Sequence, residues 1–333
     1  MFYPLLFRPV LKDYLWGGRN LETRFGRILP PHTQIAESWE IAAHPDGDTP
    51  ILNGPYAGLT LSALHTQLGL DLIGAHNTWA QARGKFPLLV KLLDAQDKLS
   101  VQVHPPDDYA RTHAGNELGK TEMWVILDAT PDAAVILGVR RGADRDHFQR
   151  ALVAGEVESC LHTLPVRAGD FVCVPAGSLH AILGGVLIAE IQQNSNTTYR
   201  VYDWNRLDKN GLPRALHIQA ALDVINFDQI EPRLPEALPL PAPAGLARYQ
   251  LCRNRYFAVE LWHIPAGADL RGNCDGSTLE IWGTLAGEVA LTDGRETISL
   301  PAISFTLLPA ALGPFTITAH TPVTLLRVYV PAA

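Results

Sequence analysis

Twelve residues near the middle of the chain run Gly169-Asp170-Phe171-Val172-Cys173-Val174-Pro175-Ala176-Gly177-Ser178-Leu179-His180. Apolar residues dominate the first half of this segment, and proline and glycine then shape a tight turn. His180 follows the turn, at the start of a returning strand. We therefore expect a β-hairpin that directs this histidine into the interior of a β-barrel.

A second segment, Lys98-Leu99-Ser100-Val101-Gln102-Val103-His104-Pro105, alternates polar and apolar residues like a strand with one polar face. Ser100, Gln102 and His104 should therefore point the same way. Glu122 stands at the start of a further strand-like apolar run. Each of these polar residues alone is more often a surface or hydrogen-bonded group, so the prediction depends on the set.

Together the candidates offer two imidazoles, one carboxylate and one amide oxygen. Such a set suits one divalent first-row ion per chain, most simply zinc, with a position left for water or substrate. The predicted metal ligands are Gln102, His104, Glu122 and His180.

Composition limits the class of protein. The chain has 333 residues, 47% of them hydrophobic, and its 27 glycines and 25 prolines favour many short strands and turns over long helices. A net charge of -7 argues against a general nucleic-acid or anionic-membrane surface. The four cysteines form no C-x-x-C pair, so we expect reduced, mostly buried thiols. No apolar run approaches membrane-span length, and we expect a cytoplasmic protein.

Helical periodicity interrupts the strands. Thr60 caps a predicted helix that extends to about Arg83 and stops at Gly84. Further helices are predicted over residues 107–113, 144–161 and 215–224. Residues 231–245 hold five prolines without periodicity and form the predicted linker. We predict a mainly β fold with two jelly-roll barrels: a metal-binding domain over residues 1–230, with helical segments at about 60–83 and 144–161, and a second domain over residues 246–333.

The second half lacks a counterpart of His180. Five residues beyond Pro309 the chain has Pro314, whereas five residues beyond Pro175 it has His180. If the barrel is duplicated, we expect the second copy to hold no metal and to be structural.

The hairpin fits G-x5-P-x-G-x2-H, the second motif of the cupin barrels. More widely, about the first 225 residues resemble the type I mannose-6-phosphate isomerases in their shorter bacterial form. The resemblance is carried by Trp16-Gly17-Gly18, Glu37-Ser38-Trp39-Glu40-Ile41, Phe86-Pro87-Leu88-Leu89-Val90-Lys91, the Ser100-x-Gln102-x-His104-Pro105 string, Gly119-Lys120-Thr121-Glu122-Met123-Trp124, Val174-Pro175-Ala176-Gly177 with His180, residues 190–204, and Leu216-His217.

This resemblance implies a metal-dependent aldose–ketose isomerase that interconverts mannose 6-phosphate and fructose 6-phosphate through an enediol. It implies zinc at the same four ligands. It also implies catalytic roles for Arg200, Glu190 and Lys120, and substrate or phosphate contacts from Ser100, Lys91, Arg206 and Trp16. Asn196 departs from the aspartate usual in the family, and Arg206 replaces a lysine of some longer members.

The chemistry suits these residues. A metal can polarise or orient sugar oxygens, a carboxylate such as Glu190 can move a proton, and Arg200 can hold a developing oxyanion. One alternative is a purely structural Glu190–Arg200 ion pair. Another places Lys91, Ser100 and Arg206 on a solvated rim.

Two other functions stay open at this stage. One is a non-catalytic sugar-phosphate-binding cupin. The other is a metal-dependent cupin of different chemistry, such as an oxygenase, although Gln102 and the cationic residues do not suit its usual iron site. As partners we expect a small phosphorylated sugar, no nucleic acid and no membrane, and we expect a monomer or weak homodimer.

Overall fold

The structure is a computed structural model that describes residues 2–208 and 211–332. Its strands are β1 Val10–Lys12, β2 Glu37–Ile41, β3 Ala43–His44, β4 Gly47–Asp48, β5 Leu88–Ala95, β6 Val101–Val103, β7 Glu122–Ala129, β8 Ala134–Val139, β9 Leu161–Pro165, β10 Phe171–Val174, β11 His180–Ile182, β12 Val186–Gln193, β13 Tyr199–Tyr202, β14 Leu238–Leu240, β15 Ala247–Arg253, β16 Ala258–Ile264, β17 Asp269–Cys274, β18 Glu280–Ala286, β19 Val289–Thr292, β20 Thr297–Leu300, β21 Ser304–Leu308, β22 Gly313–Ala319 and β23 Val323–Tyr329. The predicted mainly β fold is confirmed.

The helices are short. They are α1 Asn20–Phe25, α2 Leu61–Leu68, α3 Leu70–Ile73, α4 Thr78–Ala82, α5 Asp107–His113, α6 Arg145–Ala154 and α7 Ile218–Val224, with 3-10 turns at Gly54–Tyr56, Ala75–Asn77 and Val157–Cys160. Within the described residues, no helix is long and apolar enough to cross a membrane.

Contacts group the chain into two compact units. We call Leu11–Ser38 with Lys91–Pro235 the central unit, and Met1–Val10, Trp39–Val90 and Glu236–Ala333 the terminal unit. This grouping differs from the predicted sequential division into residues 1–230 and 246–333. The reason is that the helical segment bonds to the C-terminal strands, for example from Leu279 N to Ile73 O at 3.1 Å and from Ala310 N to Leu72 O at 3.0 Å.

Two sheets position the predicted site. A six-stranded sheet has the order β1-β2-β5-β12-β7-β10, and a five-stranded sheet has the order β13-β6-β11-β8-β9. Trp124 and Ile188 of the first sheet share one buried core with Val135 and Ile182 of the second. The two sheets therefore pack face to face around apolar side chains.

The terminal unit has its own pair of sheets. Their orders are β14-β15-β16-β23-β18-β21 and β17-β22-β19-β20, and β3 and β4 form a separate ribbon. Trp282 and Leu325 of the larger sheet and Phe315 and Ile317 of the smaller one lie in a common core. The division into two jelly-roll barrels stays a prediction.

Two predicted helices are shorter than expected because glycines interrupt them. The segment after Thr60, whose hydroxyl accepts a bond from Ala63 N, breaks at Gly69 and Gly74, where φ is +52° and +88°. The helix expected over residues 144–161 ends at Gly155, with φ at +74°. Left-handed backbone of this kind is readily adopted by glycine and stops a helix.

The remaining helix and linker predictions had mixed outcomes. The helix over residues 107–113 is confirmed as α5. The helix expected from residue 215 begins only at Ile218. The predicted linker contains a strand, β14, which pairs with β15.

Candidate active site

A cavity of about 240 Å³ opens in the central unit. Its lining includes eight of the predicted site residues, which come from β5, β6, β7, β12, β13, the residues just before β6 and β7, and the segment between β1 and α1. They are Trp16, Lys91, Ser100, Gln102, Lys120, Glu122, Glu190 and Arg200. Arg206 does not line the cavity. His104 and His180 contact Glu122 at its wall.

Three of the four predicted metal ligands converge. His104 Nε2 lies 3.1 Å from Glu122 Oε1, and His180 Nε2 lies 3.9 Å from Glu122 Oε2. One ligand atom from each residue can be chosen so that all lie within 4.8 Å of one another, and all three side chains are buried. Strand pairing produces this cluster, since β11 places His180 directly opposite Gln102 on β6.

Both histidines are oriented by backbone carbonyls. His104 Nδ1 is 2.8 Å from Thr197 O, and His180 Nδ1 is 3.0 Å from Ser178 O. Because Nδ1 donates to these carbonyls, the Nε2 lone pairs face the cluster. Burial, aided by the Lys120 cation, lowers the pKa of His104 to about 3, and burial also lowers the pKa of His180. Both imidazoles are therefore neutral near pH 7, the form that binds metals.

Glu122 is the anionic member of the cluster. Burial opposes its ionisation, but the adjacent Lys120 cation holds the pKa of Glu122 well below its usual range. Lys120 Nζ lies 2.7 Å from Glu122 Oε1 and 3.1 Å from His104 Nε2. Although this contact is close, Glu122 Oε1 receives no well-directed hydrogen bond from the residues that the structure describes, so the attraction is mainly Coulombic. Two neutral imidazoles and an ionised carboxylate fit a divalent cation.

Gln102 lies beside the cluster, but its amide oxygen points elsewhere. Its Nε2 is 3.3 Å from His180 Nε2, and its Oε1 accepts a 3.3 Å bond from Ser100 Oγ. A metal would require the oxygen rather than the nitrogen. The role of Gln102 as fourth ligand stays a prediction.

Glu190 is a buried carboxylate at the same cavity. Trp124 Nε1 donates to its Oε1 at 3.0 Å, and Lys91 Nζ lies 3.5 Å from its Oε2. Burial and the Glu122 charge raise the pKa of Glu190 to about 7, against the opposing effect of Lys91 and Lys120. Its protonation can therefore change near neutral pH.

Lys91 lies in a buried environment, unlike the solvated rim considered as an alternative from the sequence. Its side chain is only 2% exposed, and its Nζ also lies 3.4 Å from Glu37 Oε2. Burial opposes its charge, but Glu37 and Glu190 raise the pKa of Lys91 above its ordinary value. The solvated-rim alternative is wrong for Lys91 and equally for Ser100, which is buried.

Arg200 is bound to neighbours other than Glu190. Its Nε donates to Ser100 Oγ at 3.1 Å, and its NH1 donates to Ala215 O at 3.1 Å. Burial and nearby Arg214 lower its pKa. The structural Glu190–Arg200 pair is therefore wrong, because Lys91 is the ionic partner of Glu190.

Sequence reasoning chose Arg206 and missed Arg214. Both arginines bind Asp203, Arg206 through NH2 at 2.7 Å and Arg214 through Nε at 2.7 Å. Arg206 also donates to the Lys98 carbonyl, whereas Arg214 lines the cavity. Arg214 lies in irregular chain between β13 and α7, where no periodic pattern marks it. Glu37 also lines the cavity. It belongs to the Glu37-Ser38-Trp39-Glu40-Ile41 segment that carries the family resemblance, but the sequence analysis did not predict it as a site residue.

Comparison with known proteins identifies the relatives of this chain. The family model for the catalytic domain of type I phosphomannose isomerase matches residues 5–130. The probable mannose-6-phosphate isomerase GmuF of Bacillus subtilis is 38% identical over 95% of this chain and 96% of its own length. The mannose-6-phosphate isomerase of Streptococcus mutans is 37% identical over 93% of each chain. The crystal structure of a Bacillus subtilis mannose 6-phosphate isomerase superposes with a TM-score of 0.86 at 34% identity, covering 98% of this chain and 99% of that one.

The antiparallel sheets and the buried His–Glu–His cluster define a cupin-fold enzyme with a candidate metal centre. More particularly, the chain belongs to the type I phosphomannose isomerase family, whose members are metal-dependent enzymes that interconvert mannose 6-phosphate and fructose 6-phosphate.

Proposed function

We propose that this protein interconverts mannose 6-phosphate and fructose 6-phosphate with one divalent metal ion per chain, zinc being the ion that suits the donors best. The observation that carries the proposal is the convergence of His104, Glu122 and His180 at the wall of the cavity that Glu190 and Arg200 line. An oxygenase has no comparable support here.

The metal would be held by His104, Glu122 and His180, with Gln102 as the predicted fourth ligand. When bound, it supplies a Lewis acid that polarises oxygens of the open-chain sugar. The neutral imidazoles and the ionised Glu122 are already in the protonation states that such binding requires.

Glu190 is our candidate for proton transfer. Its carboxylate takes the proton from C2 of the open-chain aldose and returns it to C1, which converts the aldose into the ketose through an enediol. A pKa of about 7 allows both the accepting and the donating form near neutral pH. Trp124 Nε1 and Lys91 hold the two carboxylate oxygens in place.

Arg200 and Lys120 are the cations nearest to this chemistry. We assign to Arg200 the stabilisation of negative charge on the enediolate oxygen, since its guanidinium lines the cavity beside Ser100. Lys120, next to Glu122 and His104, is a candidate for moving a proton between sugar oxygens.

The phosphate needs donors that do not take part in proton transfer. We propose Ser100 and Arg214 for this contact and Trp16 for the sugar body, since all three line the cavity. Of the other predicted phosphate ligands, Arg206 does not line the cavity, and Lys91 is paired with Glu37 and Glu190. We further place the enzyme in the cytoplasm, which the four free cysteines support.

A coupled assay of mannose 6-phosphate conversion, with metal content measured on the same preparation, tests the proposal. Wild-type protein should turn over the sugar and exchange the C2 proton with deuterated solvent. Glu190→Gln should lose on the order of 10²-fold or more in kcat while keeping its metal. The matched change at an exposed carboxylate, Glu236→Gln, should have no effect. Metal-loaded protein that binds the sugar phosphate without turnover or exchange would leave only a binding protein.

A further inference from the structure

His217 contributes to the family resemblance through the Leu216-His217 pair, but the proposed reaction gives it no role. It stands immediately before α7, which begins at Ile218, and within the described residues its side chain forms no capping bond to that helix. The ring bonds to the neighbouring strand instead, because its Nδ1 accepts a hydrogen bond from Arg200 N at 3.2 Å. The imidazole therefore contacts the backbone of the residue that we assign to the enediolate oxygen.

This contact completes the edge of a sheet. β13, which carries Arg200, is an outer strand of the described five-stranded sheet, so the backbone groups on its far side need partners from outside the sheet. Arg200 O accepts a hydrogen bond from His217 N at 2.7 Å, and Arg200 N donates to the imidazole. His217 thus pairs with both backbone groups of Arg200, once through its own backbone and once through its ring.

The same segment also holds the guanidinium of Arg200. Its NH1 donates to Ala215 O, two residues before His217, and its Nε donates to Ser100 Oγ on the other side, each at 3.1 Å. Its NH2 has no hydrogen-bond partner among the residues that the structure describes. Two of the three guanidinium nitrogens are therefore fixed by the protein, and the third is available to a sugar oxygen in the cavity that Arg200 lines.

Helix α7 anchors this segment to the core. Ala221 and Leu222 of the helix are buried in one apolar cluster with Val201, the residue that follows Arg200 on β13. Ala221 N donates to His217 O at 2.9 Å, so His217 is continuous with the first turn of that buried helix. Helix packing therefore sets the position of the groups that hold Arg200.

The imidazole has to be neutral to accept this bond. Burial, together with the Arg200 cation, lowers the pKa of His217 below its ordinary value. Near neutral pH the ring therefore carries one proton, which lies on Nε2 because Nδ1 accepts from Arg200 N. The protonation state of His217 thus agrees with the bond that its position allows.

We propose that His217 is a positioning residue, which ties β13 to the segment before α7 and so holds the Arg200 guanidinium where it can bind the enediolate oxygen. This inference rests on the role of Arg200 in the proposed function. His217 itself is not one of the described residues that line the cavity. Because it acts on a group that binds the transition state, its loss should lower kcat more than it changes KM.

Two substitutions of nearly equal shape test this role in the full-length, metal-loaded protein. His217→Asn keeps a hydrogen-bond acceptor at the place of Nδ1, whereas His217→Leu has the same branching without an acceptor. We expect His217→Leu to lower kcat for mannose 6-phosphate about tenfold or more, with KM changed less than about twofold, since a misplaced catalytic group is costly. His217→Asn should recover most of that loss. His320→Leu, at an exposed histidine of the terminal unit, should match wild type.

Kinetics are measured well below the Tm of each variant, so that reduced stability alone does not lower kcat. An unchanged kcat in His217→Leu, or equal losses in His217→Leu and His217→Asn, would overturn the positioning role.

A second measurement does not depend on turnover. In NMR spectra, the Nε proton of Arg200 should be protected from solvent exchange in wild type and His217→Asn, and should exchange faster in His217→Leu. Equal exchange in all three proteins would overturn the positioning role while leaving the isomerase intact. A wild type that shows this protection but does not convert mannose 6-phosphate would instead contradict the proposed function.

Discussion

Asp203 binds two arginines that differ in their position relative to the proposed active site. It binds both Arg206 and Arg214, yet only Arg214 lines the proposed active site. Replacing either arginine removes one partner of the same carboxylate, so the two variants should lose similar amounts of stability. The two variants should differ in their KM for the substrate.

We expect Arg214→Ala to raise KM for mannose 6-phosphate on the order of tenfold with a smaller change in kcat. Contacts to a non-reacting phosphate stabilise ground and transition states alike. Arg206→Ala is the matched control and should leave KM near the wild-type value. Steady-state kinetics of both variants check this, and equal KM values would move the phosphate away from Arg214.

Glu260 makes a pH-dependent contribution to stability. Burial opposes its charge, but Arg248 and Arg327 outweigh burial and lower the pKa of Glu260. A carboxylate with a lowered folded-state pKa stabilises the fold above its unfolded pKa of about 4.3, and this stabilisation is lost as the pH falls through the folded pKa.

The Tm difference between wild type and Glu260→Gln should therefore be largest near neutral pH and narrow below about pH 4. Thermal unfolding followed by circular dichroism over this range measures it. Glu236→Gln, at an exposed carboxylate, should show little difference at any pH. A gap for Glu260→Gln that does not change with pH would contradict the ionic role.

Single residues also show what the sequence could reveal of the site. Alternation places Ser100, Gln102 and His104 together because a strand has a period of two. The hairpin motif adds His180 for a similarly local reason. The pairing of Lys91 with Glu37 could not be foreseen, because strand order brings together residues far apart in the chain.

At the scale of elements, the segment before β7 is held by a buried amide. Gln193 Oε1 accepts from Thr121 N at 3.0 Å, and Gln193 Nε2 donates to Asp107 Oδ1 at 3.1 Å. The same Asp107 oxygen accepts from Gly119 N at 2.7 Å. The end of β12 and the first residue of α5 therefore fix the backbone that presents Lys120 and Glu122.

We expect Gln193→Ala to weaken metal binding about 10- to 100-fold, the range seen when groups that orient metal ligands are lost. Competition with a chelator measures the affinity directly. Gln219→Ala, at an exposed amide on α7, is the control. Unchanged affinity in Gln193→Ala would show that the segment keeps its position without this bond.

Secondary-structure elements whose formation depends on residues nearby in the sequence were predicted well. The Thr60 cap and α5 follow from neighbouring residues, as do the strands around Gln102. At Gly74 a distant segment also requires glycine, since a Cβ there would lie 2.5 Å from the Thr278 backbone. Sequence periodicity does not report such a close approach between segments.

At the scale of the whole molecule, the candidate metal joins distant parts of one unit. His104 follows β6, Glu122 begins β7 and His180 begins β11. An ion bound only by the folded chain stabilises it by about 2.7 kcal/mol at a free concentration of 100 times Kd.

Removal of metal by a chelator should therefore lower both activity and Tm, and added zinc should restore them. Elemental analysis should find about one ion per chain. His104→Ala should lose this metal, whereas His113→Ala, at an exposed histidine on α5, should keep it. Stoichiometric metal in His104→Ala would place the ion elsewhere.

The bond from Trp124 Nε1 to Glu122 gives the protein an intrinsic optical reporter. The indole also donates to Glu190, so it contacts both a candidate metal ligand and the proposed proton carrier. Indole emission depends on the electric field at the ring, and a cation arriving at Glu122 changes that field. Trp262 and Trp282 are bonded to glutamates of the terminal unit and provide a constant background. Fluorescence difference spectra recorded during metal titration should therefore follow loading of the site without any added dye, and Trp124→Phe should abolish the signal.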